Sequence, residues 1–103
     1  MSWSSGPGYP LAVVRRHVWI SGWVQGVWFR QSCAEQARAY GVGGWVRNTG
    51  DGKVEAVFEG DDAAVASLVD WCRSGPVRAD VTGVEVAVED VEGFSGFSVK
   101  GWD

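Results

Sequence analysis

The chain has 103 residues, 46% hydrophobic and 21% charged, which bounds it to one domain of ordinary globular composition with enough apolar side chains for a real core. No apolar run approaches the roughly 18 residues a membrane span needs. The net charge of -4 makes a nucleic-acid backbone a poor partner, while two cysteines and one histidine are too few for a disulfide scaffold or a histidine-rich metal site.

The charge is unevenly placed. Up to Asn48 the chain carries Arg15, Arg16, Arg30, Arg38 and Arg47 against Glu35 alone, a local +4 that would draw a small anion to any site in the first half. The opening MSWSSGPGYP has neither a basic n-region nor an apolar h-region, so a cytoplasmic chain without a signal peptide is expected, and residues 1–12 read as a flexible tail before a single domain over 13–103.

From Val13 to Ser21 the run VVRRHVWIS is rich in β-branched residues and predicts a strand, with Val18 and Ile20 on one face and His17 and Trp19 on the other. After Gly22, the residues Phe29, Cys33, Ala37 and Gly41 recur every four positions, with Ala34 beside them. That spacing predicts an amphipathic helix with Gly41 at its end. The residues Gly44 to Asn48 predict a second strand. Thr49-Gly50-Asp51-Gly52 predicts a hairpin loop, and Lys53 to Glu59 a third strand, alternating Val54, Ala56 and Phe58 against Glu55, Val57 and Glu59.

Gly60-Asp61-Asp62 opens a second helix with an aspartate cap. Its buried stripe is Val65, Leu68, Val69 and Cys72, and Gly75-Pro76 ends it. A fourth strand alternates Val84, Val86 and Val88 with Glu85, Ala87 and Glu89, and Gly93 to Val99 predicts a short edge strand whose Phe94 and Phe97 cover the core margin. Clean alternation implies a sheet covered on one face and wet on the other. The expected fold is therefore α+β: a ferredoxin-like βαββαβ sandwich, an antiparallel sheet with two helices on one face and a short extra C-terminal strand.

Few catalytic groups are at hand. His17 lies five residues before Gly22, about 16 Å along an extended strand at roughly 3.3 Å per residue, too far to serve as a base near the loop. No carboxylate falls between Gly22 and Arg30, and no metal-ligand spacing or P-loop pattern occurs. What remains is a nest of backbone N–H groups around Val24 to Phe29, the guanidinium of Arg30, and Asn48 at the end of a strand. Arg30 falls in the first helical turn, where the macrodipole disfavours a cation by roughly 0.3–1 kcal/mol. It is either a solvated surface arginine or an anion ligand. Asn48 is either a turn-former or a polar group aimed at that anion. In a βαββαβ arrangement the first two strands run parallel, so their ends can meet.

The string GWVQGVWFR (Gly22–Arg30), followed by GWVRNTGDGKVE (Gly44–Glu55) and the closing VEGFSGF, resembles the signatures of the acylphosphatase family over about residues 14–100. The resemblance implies metal- and cofactor-free hydrolysis of the carboxyl–phosphate bond of acyl phosphates. It carries over Arg30 as the phosphate-binding arginine, Asn48 as the water-orienting asparagine, and Val24, Gln25, Gly26, Val27, Trp28 and Phe29 as the phosphate cradle. Trp23 and Trp28 fill variable slots and leave the rim aromatic. The implied partners are a small acyl phosphate and inorganic phosphate. Independently of the resemblance, the acidity and the lack of an apolar run predict no nucleic-acid or membrane partner, and a monomer is the default expectation.

Two other classes share this fold. Val18 to Gly22 resembles the first-strand motif of RNA-recognition domains, although KVEAVFE lacks the basic, aromatic second motif. A non-catalytic phosphate- or carbamoyl-phosphate-binding module would use the same cradle.

Overall fold

The run VVRRHVWISGW becomes β1 (Val13–Trp23) in the computed structural model, which describes residues 12–101. Apart from Ala12, the tail expected over 1–12 lies outside the described residues. β1 runs two residues further than its β-branched stretch suggests, because Gly22 and Trp23 still pair, after a bulge, with Val81 and Asp80. Gly22 has φ +120, and a Cβ there would sit 2.2 Å from the Asp80 carbonyl oxygen, so only glycine lets the two backbones approach this closely.

The chain continues through α1 (Phe29–Tyr40), β2 (Gly43–Asn48), β3 (Val54–Asp61), α2 (Asp62–Cys72), β4 (Asp80–Glu89) and β5 (Phe97–Val99). Local chemistry sets the boundaries. The Asp61 carboxylate accepts from the Ala64 N–H and caps α2, and Gly41, at φ 70, closes α1 with its N–H on the Arg38 carbonyl. In the hairpin, the Thr49 N–H donates to the Lys53 carbonyl at 2.9 Å, and the Lys53 N–H returns to the Thr49 hydroxyl at 3.0 Å.

The strand order is β4-β1-β3-β2-β5. β3 pairs antiparallel with both β1 and β2, which therefore run parallel to each other. Ile20 and Asn48 both sit opposite Val54, so the ends of β1 and β2 fall on one row. Val18, Ile20, Val46, Val54, Ala56 and Phe58 face a single core shared with Phe29, Cys33 and Ala37 of α1 and Val65, Leu68 and Cys72 of α2. Cys33 and Cys72 meet inside it. Their mutual hydrogen bond, and then burial, hold the Cys33 thiol well above the ordinary value, so it packs as a small apolar group.

The structure corrects four expectations. The sheet is mixed, because β5 lies parallel to β2, with Gly44 opposite Phe97 and Val46 opposite Val99. The cause is a crossing: β4 and β5 occupy opposite edges, and residues 90–96 traverse the sheet along the row that holds Glu89, Arg15, Glu59 and Gly43. Four strand spacings of about 4.8 Å make roughly 19 Å, within reach of that segment.

The second correction concerns β3. Its presumed wet face is buried, and all six residues from Val54 to Glu59 are covered. Long side chains roof it: Arg47 Nε donates to Glu55 at 2.7 Å, and Arg15 Nε donates to Glu89 at 2.8 Å. His17 lies between Glu55 and Glu89, 2.6 Å from each, and stacks on Trp19.

Third, Phe97 is buried against Phe58, but Phe94 lies on the other face, beneath the Arg15 guanidinium at 4.8 Å. Fourth, α2 lies over β1 and β3 and α1 over β2 and β5, so of the three alternating valines of edge strand β4 only Val84 is half-covered, while Val86 is exposed and Val88 is 75% exposed.

Glu59 pins the crossing segment. Its carboxylate accepts the N–H groups of Glu92, Gly93 and Phe94 at 2.9, 2.6 and 2.9 Å, and Arg15 Nη1 stands 3.5 Å away. Burial works to raise the carboxyl pKa, but these three donors and Arg15 outweigh it and hold the group below the ordinary value of 4.5. The fold thus prefers the ionised form. Its contribution is complete above the unfolded glutamate pKa and is lost as pH falls through the lower folded value. Glu59→Gln lowers the melting temperature at pH 7, and the gap to the parent narrows as pH falls below 4.5, as followed by circular dichroism. A gap that stays constant with pH means the carboxylate does not hold the segment through its charge.

Candidate active site

Beyond β1 the chain makes one tight loop, residues 24–28, before α1 begins. Val24, Val27 and Phe29 are buried and tie the loop to the core, so the intervening residues turn outward. The Phe29 ring packs on Trp71 at 5.2 Å and against Gly75, where a Cβ would come within 2.6 Å of it. Gly26 has φ 74 and Trp28 φ 67, so the backbone twice enters the left-handed region, the kind of conformation from which anion-binding nests of amides are built. Among the described residues, none of the N–H groups from Gln25 to Trp28 donates to a backbone carbonyl in a turn or cap. The amides of Phe29 and Arg30, in the first turn of α1, have no acceptor within the helix. α1 has no acidic residue in its first turn to occupy these donors.

The Gln25 side chain has a different task from that of the loop amides. Its Nε2 donates to the carbonyls of Thr49 and Lys53, at 2.7 and 2.9 Å, locking the loop to the β2–β3 hairpin. Asn48 is the last residue of β2, only 3% exposed and on the core-facing side with Val46. Arg30 is half-buried, and its Nη1 donates to the Lys100 carbonyl at 3.0 Å. Lys100 is itself fixed, its N–H on the Val46 carbonyl at 2.8 Å and its Nζ over the Trp45 ring at 4.5 Å.

These elements enclose a cavity of about 220 Å³ lined by Val24, Gly26, Trp28, Phe29, Arg30, Gln31 and Asn48. The expected site residues therefore meet, except that the side chains of Gln25 and Val27 turn to the hairpin and the core. Gln31 was not expected on its wall, nor the Lys100 carbonyl as the partner of Arg30. Adjacency to Arg30 is the only sequence signal for Gln31, and nothing local marks Lys100, which arrives by β5. His17 stands on the opposite face of the sheet. Among the described residues no group of three or more His, Cys, Asp or Glu could hold a metal ion.

A mouth open to water, a guanidinium on the wall, a loop and helix start that supply backbone donors, and one buried neutral amide suit a tetrahedral oxyanion. The Acylphosphatase family model matches residues 16–99. The chain belongs to the acylphosphatase family. It is similar to the acylphosphatase of Haloarcula marismortui, 54% identical over 90 residues that span 87% of this chain and 99% of that one. The acylphosphatase of Gloeobacter violaceus is 57% identical over 86 residues, 84% of this chain and 92% of its own. Among solved structures, the acylphosphatase from Coxiella burnetii superposes with a TM-score of 0.82 at 38% identity, over 85% of this chain and 93% of that one. No described helix is long and apolar enough to cross a membrane.

Proposed function

We propose that this acylphosphatase acts on small acyl phosphates without a metal or cofactor, through Arg30, Asn48 and the loop amides. The phosphoryl group sits in the curl formed by Val24, Gln25, Gly26, Val27, Trp28 and Phe29, whose N–H groups donate to its oxygens, and Arg30 offers a bidentate fork to two of them. The Asn48 amide holds a water in line with the scissile bond. The water oxygen attacks phosphorus, the bond from phosphorus to the carboxyl oxygen breaks, and its electron pair leaves on the carboxylate. The water's proton passes to a phosphate oxygen, because an amide cannot take it at neutral pH.

A carboxylate leaving group has a pKa near 4 and needs no general acid, and a loose phosphoryl transition state asks mainly for positioning and charge stabilisation. The single observation that carries this reading is that Arg30, Asn48 and the loop residues Val24, Gly26 and Trp28 line one cavity with no carboxylate or histidine among its lining residues. The reaction uses one chain, and we take the working unit to be a monomer.

The RNA-binding alternative is disfavoured because the open-face aromatics already have partners: Trp19 stacks on His17 at 4.1 Å, and Lys100 covers Trp45. A phosphate-release assay tests the function. Acetyl phosphate and benzoyl phosphate turn over at the same rate in EDTA as without it, while phenyl phosphate, whose leaving group needs a proton, is untouched. Activity lost in EDTA and restored by a divalent cation overturns the mechanism.

A further inference from the structure

Trp28 breaks three local rules at once. It is the one non-glycine residue with positive φ among the described residues, at φ 67 and ψ 19. L-residues rarely adopt that conformation, and strain of this kind persists where function holds it in place. It occupies the N-cap position of α1, yet its side chain caps nothing, where Ser, Thr, Asp or Asn would satisfy an orphan amide. Its indole is 70% exposed, so burial does not offset the strain. Glycine would sit there without strain.

What the ring does have is a place on the cavity wall with Arg30 and Asn48. Asn48 is at the buried floor and Trp28 at the open mouth. On the reading given above, on which this inference rests, the water at Asn48 and the departing carboxylate lie on opposite sides of phosphorus. The acyl group therefore points away from the floor and leaves past Trp28. We propose that Trp28 is the acyl platform of this site, a specificity-determining residue that stacks its indole on the acyl half of aromatic acyl phosphates and favours them over small aliphatic or carbamoyl ones.

The test compares kcat/KM for benzoyl, acetyl and carbamoyl phosphate in the parent, Trp28→Gly and Trp28→Phe. Glycine relieves the backbone strain, so the variant folds, with a melting temperature at or above the parent's. The benzoyl-to-acetyl ratio falls by about three- to tenfold in Trp28→Gly, mainly through the benzoyl phosphate KM, and Trp28→Phe keeps most of it. A ratio unmoved by Trp28→Gly, or lost equally in Trp28→Phe, overturns the platform. Calorimetric binding of benzoylphosphonate against acetylphosphonate reads the same preference without turnover. Absence of hydrolysis by the parent would thus refute the hydrolytic reading alone, and equal loss of affinity for both phosphonates in Trp28→Gly would refute the platform.

Discussion

Arg30→Gln lowers kcat/KM for benzoyl phosphate by about 10³-fold or more, and inorganic phosphate ceases to inhibit at concentrations that saturate the parent. The size follows from what the guanidinium is asked to do. In a loose phosphoryl transition state the charge sits on the equatorial oxygens, and one arginine there is worth roughly 10³–10⁵ in rate. Glutamine keeps length and polarity but cannot supply a full charge or a rigid fork. Arg30→Lys, which restores the charge without the fork, recovers only a small part of the activity.

The fold should survive both changes. Arg30 sits half-exposed in the first turn of α1, where a cation opposes the helix dipole, so stability stays within about 1 kcal/mol of the parent. The contact that Arg30 makes with the Lys100 carbonyl matters more for aim than for stability. A variant that folds, binds phosphate with parental affinity and turns over normally would remove Arg30 from the mechanism.

Why some of this was legible in the sequence, and some not, comes down to the range of the interactions. Thr49 to Gly52 and Asp61 satisfy their own neighbours' backbone groups, so the hairpin and the α2 cap can be read within a few residues. Period-two alternation assigned Val54, Ala56 and Phe58 correctly to one face of β3, and it also put Glu55, Val57 and Glu59 together on the other. It could not say that this other face was roofed, because the roof arrives from Arg15, Arg47 and a crossing segment whose Glu92 amide meets Glu59 from 33 residues away.

The same limit applies at the cavity. Position alone left Arg30 and Asn48 open, and the resemblance of the two motifs singled them out. What the topology adds is that β1 and β2 run parallel, with Ile20 and Asn48 both opposite Val54, so the loop after β1 and the end of β2 share one end of the sheet. Gln25 could be placed in the loop, but nothing local announces the task of its side chain, whose acceptors lie 24 and 28 residues away. Lys100 reaches Arg30 across 70 residues, and no pattern within α1 announces it. The strain at Trp28 is invisible to motif reading for a different reason: a motif records which residue types occur, whereas φ is set by how the loop is anchored through Val24, Val27 and Phe29.

Asn48→Ala separates positioning from binding. The variant loses about 10² to 10³ in kcat, the range found when one oriented hydrogen-bonding group is taken from a reacting centre, while its dissociation constant for inorganic phosphate changes by no more than a few-fold. The reason for the split is that the phosphate's donors are the loop amides and Arg30, all still present, and only the attacking water loses its holder. Asn48→Asp makes a second comparison of nearly the same size: a carboxylate at this buried position would repel the phosphate, so affinity and turnover fall together. If Asn48→Ala instead weakens phosphate binding in the same proportion as it lowers kcat, the amide is one more ligand of the anion and the water is aimed by something else in the cavity. Gln31 is then the next polar side chain to replace, since it lines the same wall beside Arg30.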